Sequence, residues 1–237
     1  MYRSICLLGL AAIAACSDSS SPDSRYACIG DTLPTTAPNP IHVTGQTKYN
    51  ALSPTALGGV QVIASTGTDT LAADTSDTPG FYDLTIPTGG TPVNGFLKLQ
   101  KSGYLTSYAY PSRPLAANAI NNVLMITSSE FTLLSGATGV TQNAGNGFIG
   151  MVVADCNGNP LSGATVSVSP AGSSAARYNA GSTPSSSATS TSGDGVAYVF
   201  NVTAGNATVQ ASAGGHTLHA HIVNARADVI TLTEIQP

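Results

Sequence analysis

The sequence predicts an all-β chain: two tandem Ig-like β-sandwich domains behind an export signal and a disordered tether. Three observations lead there. Short runs with period-2 alternation recur along the chain, each bounded by Gly, Pro, Asn or Ser turns. The order of those signals repeats once. Only 8% of the 237 residues are charged, and small residues dominate, with 25 Gly and 14 Pro. An average domain is about 25% charged, and the small-residue, Pro-containing composition suits short strands joined by turns.

Taken in order, Met1–Cys16 carries a cation at Arg3, an apolar run and a small-residue end, the pattern of a secretory leader. Ile13-Ala14-Ala15-Cys16 resembles the bacterial lipobox, which implies lipidation at Cys16 and an outer-membrane, periplasmic or surface location. Cleavage at Ala12-Ile13-Ala14 is the alternative. Residues 17–40 are rich in Ser, Pro and Asp and read as a flexible tether. Residues 41–135 form the first candidate domain, with strands at Val60–Ala64, Tyr82–Ile86, Leu97–Leu99, Val123–Ile126 and Phe131–Leu134. A Gly-rich linker, 136–147, follows. The second domain, 148–237, opens on Phe148–Val168, a strand, an Asn157-Gly158-Asn159-Pro160 turn and a second strand. Ala171–Ser192 has almost no apolar face and reads as a mobile surface loop.

The internal repeat sets Leu57-Gly58-Gly59-Val60 against Leu161-Ser162-Gly163-Ala164. It sets Thr78-Pro79-Gly80 against Gly193-Asp194-Gly195, and Lys101-Ser102-Gly103-Tyr104 against Ala213-Gly214-Gly215-His216. In the second repeat Gly150, Val152, Asp155, Gly158, Pro160-Leu161, Gly163-Ala164 and Val166 resemble the carboxypeptidase regulatory-like domain. That resemblance implies a transthyretin-like sandwich of about seven strands per repeat, used as an accessory module without peptidase activity. The first repeat matches less fully, since residues 51–56 stand where the Asp and Pro-Leu would fall.

No H-E-x-x-H, G-x-S-x-G, phosphate loop or EF-hand loop is present, and acidic residues are scattered. No catalytic residue and no cofactor are expected. Net charge is -4 with 8 Lys plus Arg, none clustered, which argues against nucleic acid. His219 and His221 are placed on one strand face with His216 just before them, a candidate metal pair or two solvent-facing imidazoles. Leu218, Ala220 and Ile222 are expected on the opposite face. Tyr104, Tyr108, Tyr110 and Arg113 form a candidate glycan- or peptide-contacting patch, or ordinary edge packing. Tyrosines beside a His-x-His are also similar to the iron site of intradiol dioxygenases. The Arg-Pro that precedes their pair is missing, and the tyrosines fall in the other repeat. With Cys6 leaving in the leader and Cys16 lipidated, Cys28 and Cys156 remain for a disulfide; free thiols or an intermolecular bond are the alternatives. The function expected is therefore non-catalytic: an envelope lipoprotein with a membrane anchor and a protein or glycan partner, or a metal-binding protein using the histidine face.

Overall fold

A computed structural model describes residues 23–50, 53–170 and 174–237. The leader and its Cys16 lie outside the described residues. In chain order the strands are β1 Ile41–Tyr49, β2 Thr55–Ala56, β3 Gln61–Ser65, β4 Thr70–Thr75, β5 Phe81–Ile86, β6 Phe96–Gln100 and β7 Ser107–Tyr110. Then come β8 Ala119–Ile120, β9 Val123–Met125, helix α1 Ser128–Thr138, β10 Gly147–Val153, β11 Thr165–Ser169, β12 Arg177–Ala180 and β13 Thr183–Ser185. The chain ends with β14 Val196–Val202, β15 Gly205–Ala213, β16 His216–Thr217, β17 His221–Ala225 and β18 Ile230–Ile235. The fold is an all-β sandwich architecture.

Each half builds its own sandwich. In the first, β5 and β2 flank one side of β1, and β8 and β9 run parallel to β1 on the other. This sheet packs on β4-β3-β6-β7 around Ile41, Val62, Leu84, Leu99 and Met125. In the second, β14-β10-β18 faces β11-β15-β17 around Ile149, Met151, Val153, Val209 and Ile235. Alternation explains the burial: β5 reads exposed-buried three times over, with Tyr82, Leu84 and Ile86 inward.

The repeat is reproduced hydrogen bond by hydrogen bond. The Ser76 hydroxyl accepts from the Val60 amide (3.0 Å) and donates to the Leu57 carbonyl (3.1 Å). The Thr191 hydroxyl accepts from the Ala164 amide (2.9 Å) and donates to the Leu161 carbonyl (2.6 Å). The backbone around both matches: Gly59 N to Ser76 O and Gly163 N to Thr191 O, Thr47 N to Gly80 O and Val153 N to Gly195 O. Gly80 and Gly195 sit at φ 94° and 67°, and a Cβ on either would come within 2.7 Å or less of a backbone oxygen. Only glycine satisfies both demands.

The two sandwiches are fused at one seam. β18 pairs in parallel with β7, Ile230–Thr233 against Ser107–Tyr110. The nine-stranded sheet β13-β12-β14-β10-β18-β7-β6-β3-β4 thereby runs through both halves. In-register residues share a face, so the first core lies on the face of Leu97, Ala109 and Leu232, and the second on the opposite face, with Ile149 and Met151. The small sheets cover opposite faces at opposite ends. Helix α1 covers the remaining face of the second half, setting Phe131 edge-on to Phe148 at 5.0 Å.

Three expectations are corrected. Phe131–Leu134 is helical, and residues expected as linker complete α1. Thr127 and Glu130 form a capping box, and Gly139, at φ 68°, ends the helix in the left-handed conformation. The Ala171–Ser192 segment, where described, is not a free loop: β12 and β13 extend the long sheet, Tyr178 and Asn179 on β12 are buried, and so is Thr191, bonded to Leu161 and Ala164. From Asp23 onward the tether is docked. Tyr26 is buried in the second core, and Ala37 N and Thr88 Oγ1 fix the 37–38 segment to the first half.

Candidate functional site

The N-terminal strap is held at its start by a disulfide between Cys28 and Cys156, in the turn after β10. The Cys156 amide donates to the Arg25 carbonyl at 3.0 Å. The turn itself is organised by Asp155, whose carboxylate accepts from the amides of Asn157 (2.8 Å) and Asn159 (2.9 Å). Desolvation pushes the Asp155 pKa up, but these hydrogen bonds outweigh it and hold the carboxyl below its usual range.

Tyr108 and Tyr110 share the open face of the first half, as their spacing requires. Tyr110 packs on Phe96 at 5.1 Å and Tyr108 on Phe96 at 5.5 Å. The organising residue is one that sequence reasoning missed. Arg226, just past β17, lays its guanidinium 3.8 Å from the Tyr108 ring centroid and 4.8 Å from that of Phe96, and donates to the Tyr110 hydroxyl at 2.7 Å. No motif marks a lone arginine 116 residues from its partner. This cation–π cluster spans the seam and takes one face of Tyr108, so that face is not open to a sugar ring. Tyr104 stands apart, edge-on to Tyr49 at 6.3 Å. Arg113 is also apart, its guanidinium bonded to the Pro237 carbonyl oxygen and its buried Nε without a partner among the described residues.

The histidines are not gathered. His216 stacks on Tyr26 at 4.4 Å. His219 precedes β17 rather than lying on it, and its amide donates to the Gln236 carbonyl. His221 opens β17, with Nε2 2.7 Å from the Thr233 hydroxyl and a buried Nδ1 that has no partner among the described residues. Burial, with the neighbouring His219 second, lowers its pKa to about 4, so the ring is neutral at physiological pH. The expected facing is also reversed at Ile222, which is 63% exposed while Val223 turns inward. Among the described residues no group of three or more His, Cys, Asp or Glu side chains converges as a metal site.

An apolar groove of about 990 Å³ runs along the sheet beside α1. Ile120, Leu133, Leu134, Val152, Tyr198 and Leu232 line it. Among the described residues its lining holds the carboxylates Glu130, Asp194 and Glu234 and no Lys, Arg or His. Burial raises the Glu234 pKa and drives the Tyr198 phenol up to about 12. The arrangement offers apolar contact and hydrogen-bond acceptors.

No family model matches the chain, and no curated protein matches it. Solved structures that resemble it in part include the Bacillus anthracis TIE protein, at 10% identity and TM-score 0.28 over 84% of this chain and 34% of that one. The shaft pilin SpaA of Lactobacillus rhamnosus GG is 10% identical at TM-score 0.27, covering 84% and 98%. The minor pilin GBS52 of Streptococcus agalactiae is 10% identical at TM-score 0.26, covering 83% and 95%. The chain spans about a third of the length of the first of these.

Proposed function

We propose that the chain is a non-catalytic envelope lipoprotein, anchored through Cys16, whose two sandwiches act as one stiff body for display or partner binding. The observation that carries this reading is the Cys28–Cys156 strap. Disulfides persist in oxidising compartments such as the periplasm and cell surface. This one ties the segment that follows the lipobox to the second half of the folded body. Residues 17–22 reach about 20 Å at full extension, so the body would sit close to the membrane. Among the described residues no helix is long and apolar enough to cross a bilayer. The regulatory-like family assignment rests on the repeat-two residues quoted above.

The test is metabolic labelling with a palmitate analogue in a bacterial host, followed by fractionation. The wild-type chain is expected in the membrane fraction carrying label. Cys16→Ala should lose both label and membrane association. An unlabelled wild-type chain would contradict the anchor. Binding of an apolar segment of a protein partner is a second reading, favoured by the groove; its natural point of attack is Leu133, which is 73% exposed on α1.

A further inference from the structure

The repeat makes the seam comparable with the two ends of the molecule. Register relates the halves residue by residue. Thr44 pairs with Ile120 as Gly150 pairs with Leu232, so Ile120 on β8 occupies the place of Leu232 on β18. Leu97 pairs with Ala109 as Val209 pairs with His221, so Ile222 on β17 occupies the place of Tyr110 on β7. At the seam, β18 and β7 pair with each other. At the ends, among the described residues, β8 pairs only with β1, and β17 only with β15. The unused edges are thus the two partners of the seam, one at each end of the molecule.

Both edges are dressed as contacts. Ile120 is 80% exposed and Ile222 63%, whereas Leu232 packs between the first core and the α1 cluster. Neither strand carries a Lys, Pro or carboxylate, the residues that ordinarily guard a free edge. We propose that β17 of one copy adds in parallel to β8 of the next, repeating the β7–β18 seam between molecules. The partner is a second copy of this chain. Because the two edges differ, the contact is heterologous and extends head to tail rather than closing as a symmetric dimer. The proposal goes beyond the envelope reading and does not require the lipid.

Complementation separates this arrangement from any symmetric one. Lysine on an edge strand blocks pairing, and both positions are exposed, so Ile120→Lys and Ile222→Lys should fold as wild type. In sedimentation velocity across a concentration series, the wild-type chain is expected to form a ladder of elongated oligomers. Each variant alone should stay monomeric, since each retains one edge and lacks its complement. An equimolar mixture should give dimers and stop there. A wild-type chain that stays monomeric throughout would overturn the proposal. So would a single variant that still dimerises, or a mixture that does not. Far-ultraviolet circular dichroism of both variants guards against a folding defect.

Discussion

The hydroxyl of Thr191 provides the sharpest test of the repeat, through Thr191→Val. The substitution keeps the shape of the side chain and removes one acceptor and one donor. Thr191 is 3% exposed, so water cannot replace the lost partners. The Ala164 amide and the Leu161 carbonyl both lose that hydroxyl. A buried polar group left without a partner costs about 1–3 kcal/mol, so the pair should cost about 2–6 kcal/mol. For a chain of this size that is a fall in Tm of about 5–25 °C. Thr191→Ser retains the hydroxyl and should cost about 1 kcal/mol, the loss of one buried methyl. Ser76→Ala, the equivalent change in the first half, should cost less than Thr191→Val, because the Val60 amide loses its partner while the Leu57 carbonyl keeps the Thr47 hydroxyl. Urea denaturation of the three variants decides it. If Thr191→Val and Thr191→Ser are equally stable, the hydroxyl does not hold the strands and the reasoning fails.

Two further predictions concern the strap and the buried imidazole. Replacing both Cys28 and Cys156 with Ser opens a closure across 128 positions, which in the chain-entropy account removes up to about 5 kcal/mol. Urea midpoints should fall, and limited proteolysis should cut first near Arg25; an unchanged midpoint would show that the strap docks without the bond. His221 has a folded pKa of about 4 against 6.5 for an ordinary histidine. The unfolded chain therefore binds a proton that the folded chain refuses. The stability is fully present above pH 6.5 and is lost as pH falls towards 4. The full shift corresponds to about 3 kcal/mol, reduced to about 2 by partial exposure. Asp155 adds loss at lower pH still, while Glu234, raised by burial, opposes it. His221→Gln should flatten the stability profile between pH 4 and 6.5; an identical slope in both proteins would remove His221 as its cause.

Much of the architecture is legible in the sequence because strands are local in pattern. Tyr82, Leu84 and Ile86 announce their inward face, and the Leu-x-Gly signals announce the repeat. Other features were present but outweighed. Thr127-Ser128-Ser129-Glu130 is a capping-box pattern, yet Phe131 to Leu134 reads as a short apolar strand when taken alone. Tyr178 sits among Ser, Ala and Thr, too short a run to show period 2, and takes its strand identity from β14. The facing around Ile222 is set by a break at 218–220, which shifts the alternation. The seam between β7 and β18, the place of Arg226 across it and the docking of Tyr26 are long-range pairings, and local pattern does not encode them.

The central claim is that the two sandwiches share one sheet, and backbone hydrogen exchange at the seam tests it most directly. The Ile230 amide donates to the Thr106 carbonyl at 3.0 Å, and the neighbouring amides complete the β7–β18 ladder. Those amides should be protected to the same degree as the β10 and β14 amides of the second core. Exchange at the seam as fast as in the Ser102-Gly103 turn, with both cores still protected, would mean two separate sandwiches on a hinge.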